Sequence, residues 1–325
     1  MVALPAASAA PGGAAGALTR RWPLPCPVDL ARTIGVHRRG RGDPTFQTDP
    51  AGAIWRTSLT PDGPGTLRVV AVPSAGSATG GGLAAHAWAW GPGAGWLLAA
   101  LPGLLGEGDD RTGFRPAHPL LAELDRRHSG LRIGRSGRVL EALVPAVLEQ
   151  KVVGAEAKRA WRLLLLRFGS QPPGPVPAGM RVFPPPRVWA MIPSWEWHRA
   201  GVELVRARTI AGAARAAARL EEVITMSPAA ADLRLRSLPG IGPWTSAETR
   251  QRACGDPDAV SVGDYHLPSI VGWALAGRIV DDAGMLELLA PYPGHRYRVT
   301  RLVSLAGMGP PRRGPRNPVR DYRAF

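Results

Sequence analysis

Lysine is nearly missing from this sequence: Lys151 and Lys158 are the only two, although Lys and Arg together number 40. Any reaction that needs a lysine amine therefore has just two candidates. Cysteine is equally scarce. Cys26 and Cys254 form no CxxC pair, and two thiols so far apart supply neither a zinc set nor a four-cysteine iron–sulfur cluster. They read as two buried, reduced thiols. No run of about 18 apolar residues free of Gly, Pro and charge occurs, so no membrane-spanning helix is predicted. Acidic residues are the third deficit: 25 Asp and Glu leave a net charge of +15. A surplus of that size repels itself unless a polyanion lies against it, which makes nucleic acid the first partner to consider. A GC-rich coding bias accounts for Arg in place of Lys, but not for the shortage of acids.

The first 19 residues are rich in Ala and Gly and carry no side-chain charge, and Arg20 and Arg21 follow them. A secretory signal places its positive charge first, so residues 1–25 read as a disordered tail of a cytoplasmic protein. Residues 26–115 read as a small α/β domain. Strand-like runs cover 54–59 and 66–72, with the turn-prone Pro61-Asp62-Gly63-Pro64-Gly65 between them. A third covers 83–90, where His86, Trp88 and Trp90 alternate with alanines. Residues 96–105 are apolar enough for a helix that Pro102 interrupts. From 116 to 308 the pattern is helical, with amphipathic segments over 118–128, 138–150, 155–168, 187–192, 203–224 and 229–238, and a Pro/Gly-rich loop over 171–186. Residues 309–325 form a basic, Pro/Arg-rich tail. The fold class is α+β: a mainly helical region of two lobes with a cleft between them, preceded by the smaller β-containing domain.

The chemically informative run is Leu238-Pro239-Gly240-Ile241-Gly242-Pro243-Trp244-Thr245. Gly240 and Gly242 permit backbone angles and close approach that side chains block. Pro243 suits the first position of a helix, where its missing N–H costs nothing. The run predicts a tight hairpin with free N–H groups at a helix start, a site suited to a phosphate oxygen. Ile241 points back and locks the two helices together. Asp264 follows Trp244 by 20 residues, in Ser261-Val262-Gly263-Asp264-Tyr265-His266. An aspartate ahead of a helix caps it well, and can do so while serving a catalytic role.

On these residues the chain resembles the helix-hairpin-helix DNA glycosylases, most of all the bacterial 3-methyladenine DNA glycosylase II branch. The likeness extends to Gly130-Leu131-Arg132, to 143–153, to Ala200-Gly201-Val202 and to Pro293 and Tyr297. It implies a helix-hairpin-helix core that acts on double-stranded DNA containing damaged bases, with no obligate protein partner, in the bacterial nucleoid. Asp264 is then the catalytic carboxylate, stabilising positive charge on the deoxyribose and orienting or deprotonating the attacking water. Gly240, Ile241, Gly242 and Thr245 contact DNA, and Gln150 with Lys151 matches the segment that enters the duplex when the base flips out. Trp244, Glu248 and Val303 fall at base-pocket positions. Trp244 offers an indole face to an electron-poor alkylpurine, while Glu248 has Arg252 within ion-pairing distance along a helix. The main-chain carbonyls of Arg236, Leu238 and Gly240 match a monovalent cation site for Na+ or K+; no cofactor is otherwise required.

Bifunctional relatives carry a lysine where this chain has Trp244, which implies a monofunctional enzyme without strand-cleaving lyase activity. The leading expectation is release of alkylated bases of the 3-methyladenine type. The alternatives are an enzyme for deaminated or mismatched bases and a helix-hairpin-helix protein that grips DNA without catalysis. Asp264 separates catalyst from binder, because a pure binder gains nothing from a carboxylate facing an anionic duplex.

Overall fold

A computed structural model of the chain describes residues 16–24, 26–73 and 83–311. Residues 1–15 and 312–325, which carry most of the two expected tails, lie outside the described residues.

The N-terminal part is a five-stranded antiparallel sheet in the order β1-β5-β4-β3-β2. The strands are β1 (Leu18–Leu24), β2 (Phe46–Thr48), β3 (Ile54–Thr60), β4 (Gly63–Pro73) and β5 (Leu83–Trp90). Two helices accompany it, α1 (Leu30–Ile34) and α2 (Ala94–Leu104). Alternation along β5 divides its side chains between two faces. Ala85, Ala87 and Ala89 pack with Leu67, Val69 and the α2 leucines, their small size letting the helix approach closely. Trp88 and Trp90 turn the other way and pack with Trp55, Val70 and Met180.

The expected tail over 1–25 is corrected here, because Leu18–Leu24 pairs along the whole of β5, from Leu18 opposite Ala89 to Leu24 opposite Leu83. The same strand explains why Pro102 does not end α2. Proline deprives the Leu98 carbonyl of its helical N–H, and Arg20 of β1 donates to that carbonyl instead, at 3.2 Å.

Twelve helices follow: α3 (Pro119–Arg127), α4 (Val139–Leu148), α5 (Gly154–Phe168), α6 (Pro186–Met191), α7 (Ser194–Arg199), α8 (Leu204–Arg215), α9 (Ala217–Glu221), α10 (Pro228–Arg236), α11 (Pro243–Ala253), α12 (Leu267–Ala276), α13 (Asp282–Leu289) and α14 (Arg296–Leu305). They form two apolar cores. One surrounds α4, buried at every position except Glu141, and takes in α5, α8 and Ile241. The other joins α3, α12, α13 and α14 through Leu121, Val271, Met285 and Val299.

The segment expected as one helix over 203–224 breaks at Ala216, which leaves helical geometry at ψ 9. The break carries Glu221 to the start of α4, where its carboxylate accepts from the Val139 and Leu140 amides at 2.9 and 3.1 Å. Burial pushes the Glu221 pKa up. Glu141 ties sheet to helices, accepting from Arg56 Nη2 at 3.1 Å, Ser58 Oγ at 2.8 Å and the Leu59 amide at 2.7 Å. Among the described residues no helix is long and apolar enough to cross a membrane. Cys26 is exposed and Cys254 half-buried, which corrects the expectation of two buried thiols; burial pushes the Cys254 thiol up to about 11.

Candidate active site at the glycine hairpin

The hairpin joins α10 to α11. Ser227 caps the start of α10, and Asp232 within it accepts from Ser246 Oγ of α11 at 2.6 Å and from Arg236 at 3.1 Å. Gly240 sits at φ +85, where an added Cβ would overlap Thr209 Oγ1 of α8. Glycine is thus required twice at this position, by conformation and by space. Gly242 differs. Its φ of −94 and ψ of −178 suit any residue, and an added Cβ would meet nothing within 4 Å. The first bond of α11 runs from the Ser246 amide to the Gly242 carbonyl at 3.0 Å. The amides of Gly242, Trp244 and Thr245 precede it and have no acceptor within the helix. Ile241 is 6% exposed and belongs to the core around α4, so only its backbone is available on the open side.

Asp264 stands ahead of α12, beside the hairpin. Its Oδ1 accepts from the His266 and Leu267 amides at 2.8 and 2.9 Å, and its Oδ2 from Trp244 Nε1 at 3.0 Å. The carboxylate is therefore a helix cap and is also fixed from the hairpin side. It stays half-exposed and borders a cavity of about 220 Å³ between α11, α12 and α14.

The other predicted site residues divide. Glu248 borders the cavity, with Oε1 accepting from Ser261 Oγ at 2.6 Å and Oε2 from Arg252 Nη1 at 2.7 Å. Burial disfavours the Arg252 charge, but Glu248 and then Tyr297 outweigh it and raise its pKa. Trp244 does not line the cavity; its indole holds Asp264 instead. Val303 is 0% exposed in the α3/α12–α14 core, which removes it from the base pocket. Its helical neighbours Thr300, Arg301 and Ser304 face the cavity in its place. Thr245 is 2% exposed and its hydroxyl is occupied, correcting the expectation of a DNA contact from that side chain.

Gln150 occupies it. Its Nε2 donates to Thr245 Oγ1 at 2.8 Å and to the Gly240 carbonyl at 2.9 Å, clamping the turn between α4 and α5 onto the hairpin. Lys151 beside it is exposed and takes a left-handed backbone, φ 53, which is strained for a residue with a side chain. Two of the carbonyls expected to hold Na+ or K+ each accept a hydrogen bond within the protein. Leu238 O already accepts from the Ile241 amide at 3.1 Å. Gly240 O accepts from Gln150 Nε2 at 2.9 Å. Trp189 and Trp197 pack with Phe183 in the core, and Trp195 is exposed.

Periodicity and motif reading missed Ser261, Gln251 and Arg301. Each reaches the cavity from a separate element, and no local pattern announces that convergence.

Sheet and paired helical cores are arranged as in solved DNA glycosylases, to which the chain is similar in fold. No family model and no curated sequence matches the chain. Solved structures do. The 3-methyladenine DNA glycosylase of Archaeoglobus fulgidus aligns at TM-score 0.69 and 17% identity, over 88% of this chain and 97% of that one. The 8-oxoguanine glycosylase/lyase of Clostridium acetobutylicum aligns in its apo form at TM-score 0.63 and 11% identity, over 85% and 92%. Its complex with double-stranded DNA aligns at 0.60 and 10%, over 87% and 96%. At such identities the likeness establishes the fold.

Proposed function

We propose that this chain is a monofunctional DNA glycosylase of base-excision repair. It grips double-stranded DNA at the hairpin, takes an extruded damaged nucleotide into the cavity beside Asp264, and hydrolyses the bond between base and sugar. The supporting observation is the placement of one fixed carboxylate between the phosphate-ready amides and a cavity. As the C1′–N bond breaks, its electron pair leaves with the base and positive charge develops on the deoxyribose. The Asp264 carboxylate stabilises that charge. Water adds its oxygen to C1′, and Asp264 is placed to accept the proton released.

No lysine lines the cavity, which favours water over a covalent amine intermediate. Alkylated bases are the class implied by the resemblance to 3-methyladenine glycosylases, with deaminated bases the second class; the charge and hydrogen bonding of the cavity walls bear on that choice. Purified protein incubated with damaged duplex should yield free base, detected by mass spectrometry, and intact abasic strands. Borohydride should trap no protein–DNA adduct. Strand cleavage accompanied by a trapped adduct would refute the monofunctional reading, and the absence of any free base would refute the glycosylase reading.

A further inference from the structure

Four charged side chains border the cavity: Asp264, Glu248, Arg252 and Arg301. Under the glycosylase reading, on which the substrate assignment rests, Asp264 serves the sugar and the other three face the base. Glu248 and Arg252 neutralise one another. Arg301 is half-buried and makes no hydrogen bond or ion pair among the described residues, so of the three groups assigned to the base it carries the one uncompensated charge. Tyr297 is the only aromatic residue among the lining side chains. A cationic methylated purine gains nothing from such a wall: like charge repels it, and few ring faces are available to stack on it.

The same groups are locked in position. Gln251 Nε2 is anchored on the Ala259 carbonyl at 2.9 Å and donates to Ser261 Oγ, also at 2.9 Å. Ser261 in turn holds one oxygen of Glu248, and Arg252 holds the other while its Nε donates to the Val36 carbonyl at 3.1 Å. An immobilised acceptor therefore sits beside immobilised donors, and Arg301 adds another donor from α14.

We infer that the cavity reads the lactam edge of a deaminated base, with the ring N–H donating to Glu248 and the exocyclic carbonyl accepting from Arg252 or Arg301. Deamination of adenine or cytosine creates that edge, giving hypoxanthine or uracil. The parent bases present the reverse pattern, a bare ring nitrogen against the carboxylate and an amino group against a guanidinium, and are rejected by unmet hydrogen bonds. Guanine and thymine share the lactam edge but are held in the duplex by their pairing, whereas a mispaired base is extruded at lower cost.

The test measures initial rates of free-base release by the full-length protein. It uses duplexes of one sequence carrying a single hypoxanthine or uracil, alongside DNA methylated to 7-methylguanine and 3-methyladenine. Deaminated bases should leave at least about tenfold faster per lesion than the methylated purines. Arg301→Met removes no hydrogen bond or ion pair among the described residues. It should cut the ratio of deaminated to methylated release by about tenfold with no change in Tm, and Glu248→Gln should move the ratio the same way. Methylated purines released as fast or faster, or a ratio unmoved in both variants, would overturn the lactam assignment and leave the glycosylase reading standing. No release of any base would overturn both.

Discussion

At the scale of single side chains, Trp244 and Asp264 depend on each other. The indole N–H holds one carboxylate oxygen at 3.0 Å, while the His266 and Leu267 amides at the start of α12 hold the other. Trp244→Phe keeps an aromatic ring and deletes the indole N–H donor. Loss of one hydrogen bond to a charged group should lower kcat by about tenfold or more. The KM for damaged duplex should move much less, since Trp244 acts by positioning another group. A stacking wall for the base would give the opposite split, with KM raised and kcat retained.

At the scale of elements, the two glycines of the hairpin make separable predictions. Gly240→Ala forces a side chain into the left-handed region and against Thr209, and should cost more than about 1 kcal/mol of unfolding free energy in urea titrations. At Gly242 an added Cβ meets nothing within 4 Å, so Gly242→Val should cost less stability than Gly240→Ala. It should nonetheless weaken DNA binding of every sequence, and lower the slope of log affinity against log salt by about one. An unaltered slope would contradict phosphate binding at the hairpin.

This hairpin was legible in the sequence because Gly-Ile-Gly-Pro specifies local backbone geometry, and β3, β4, β5, α3, α4 and α5 were legible through their periodicity. β1 was not. Its alternation of Leu18, Arg20, Trp22 and Leu24 is masked by the Arg20–Arg21 pair, and its place is set by distant partners, the β5 ladder and the Leu98 carbonyl. The break at Ala216 has no glycine or proline to mark it; the cap that Glu221 makes on α4 accounts for it. Arg301 and Ser261 came into view only when α14 and the loop before α12 were brought together.

At the scale of the whole molecule, sheet and helices meet at a buried ionic junction. Arg56 and Glu141 are 8% and 9% exposed, and Glu141 accepts from three groups of β3. Glu141→Ala strands the Arg56 charge and should cost about 3 kcal/mol or more in chemical denaturation. His37 lies by the same junction, its Nε2 enclosed without a partner among the described residues. Burial first, and then Arg56, Arg252 and Arg39, holds its pKa well below the ordinary 6.5. The unfolded chain therefore takes up that proton before the folded one does. The stability contributed is whole above about pH 6.5 and drains as pH falls through the window below it. His86, His128 and His295 are lowered as well, with burial the leading cause in each. Unfolding free energy should thus decline from pH 7 to pH 5, and His37→Asn should flatten that decline.

In the proposed function, fold, charge and hairpin direct a duplex toward Asp264. The most direct measurement compares single-turnover base release and damaged-DNA affinity for the unaltered protein and Asp264→Asn. Asparagine still caps α12 but carries no charge to stabilise the sugar cation. Release should fall by about a hundredfold or more, with DNA bound as tightly or tighter. Release at the unaltered rate, by a variant that still binds DNA, would contradict the assignment of catalysis to this carboxylate.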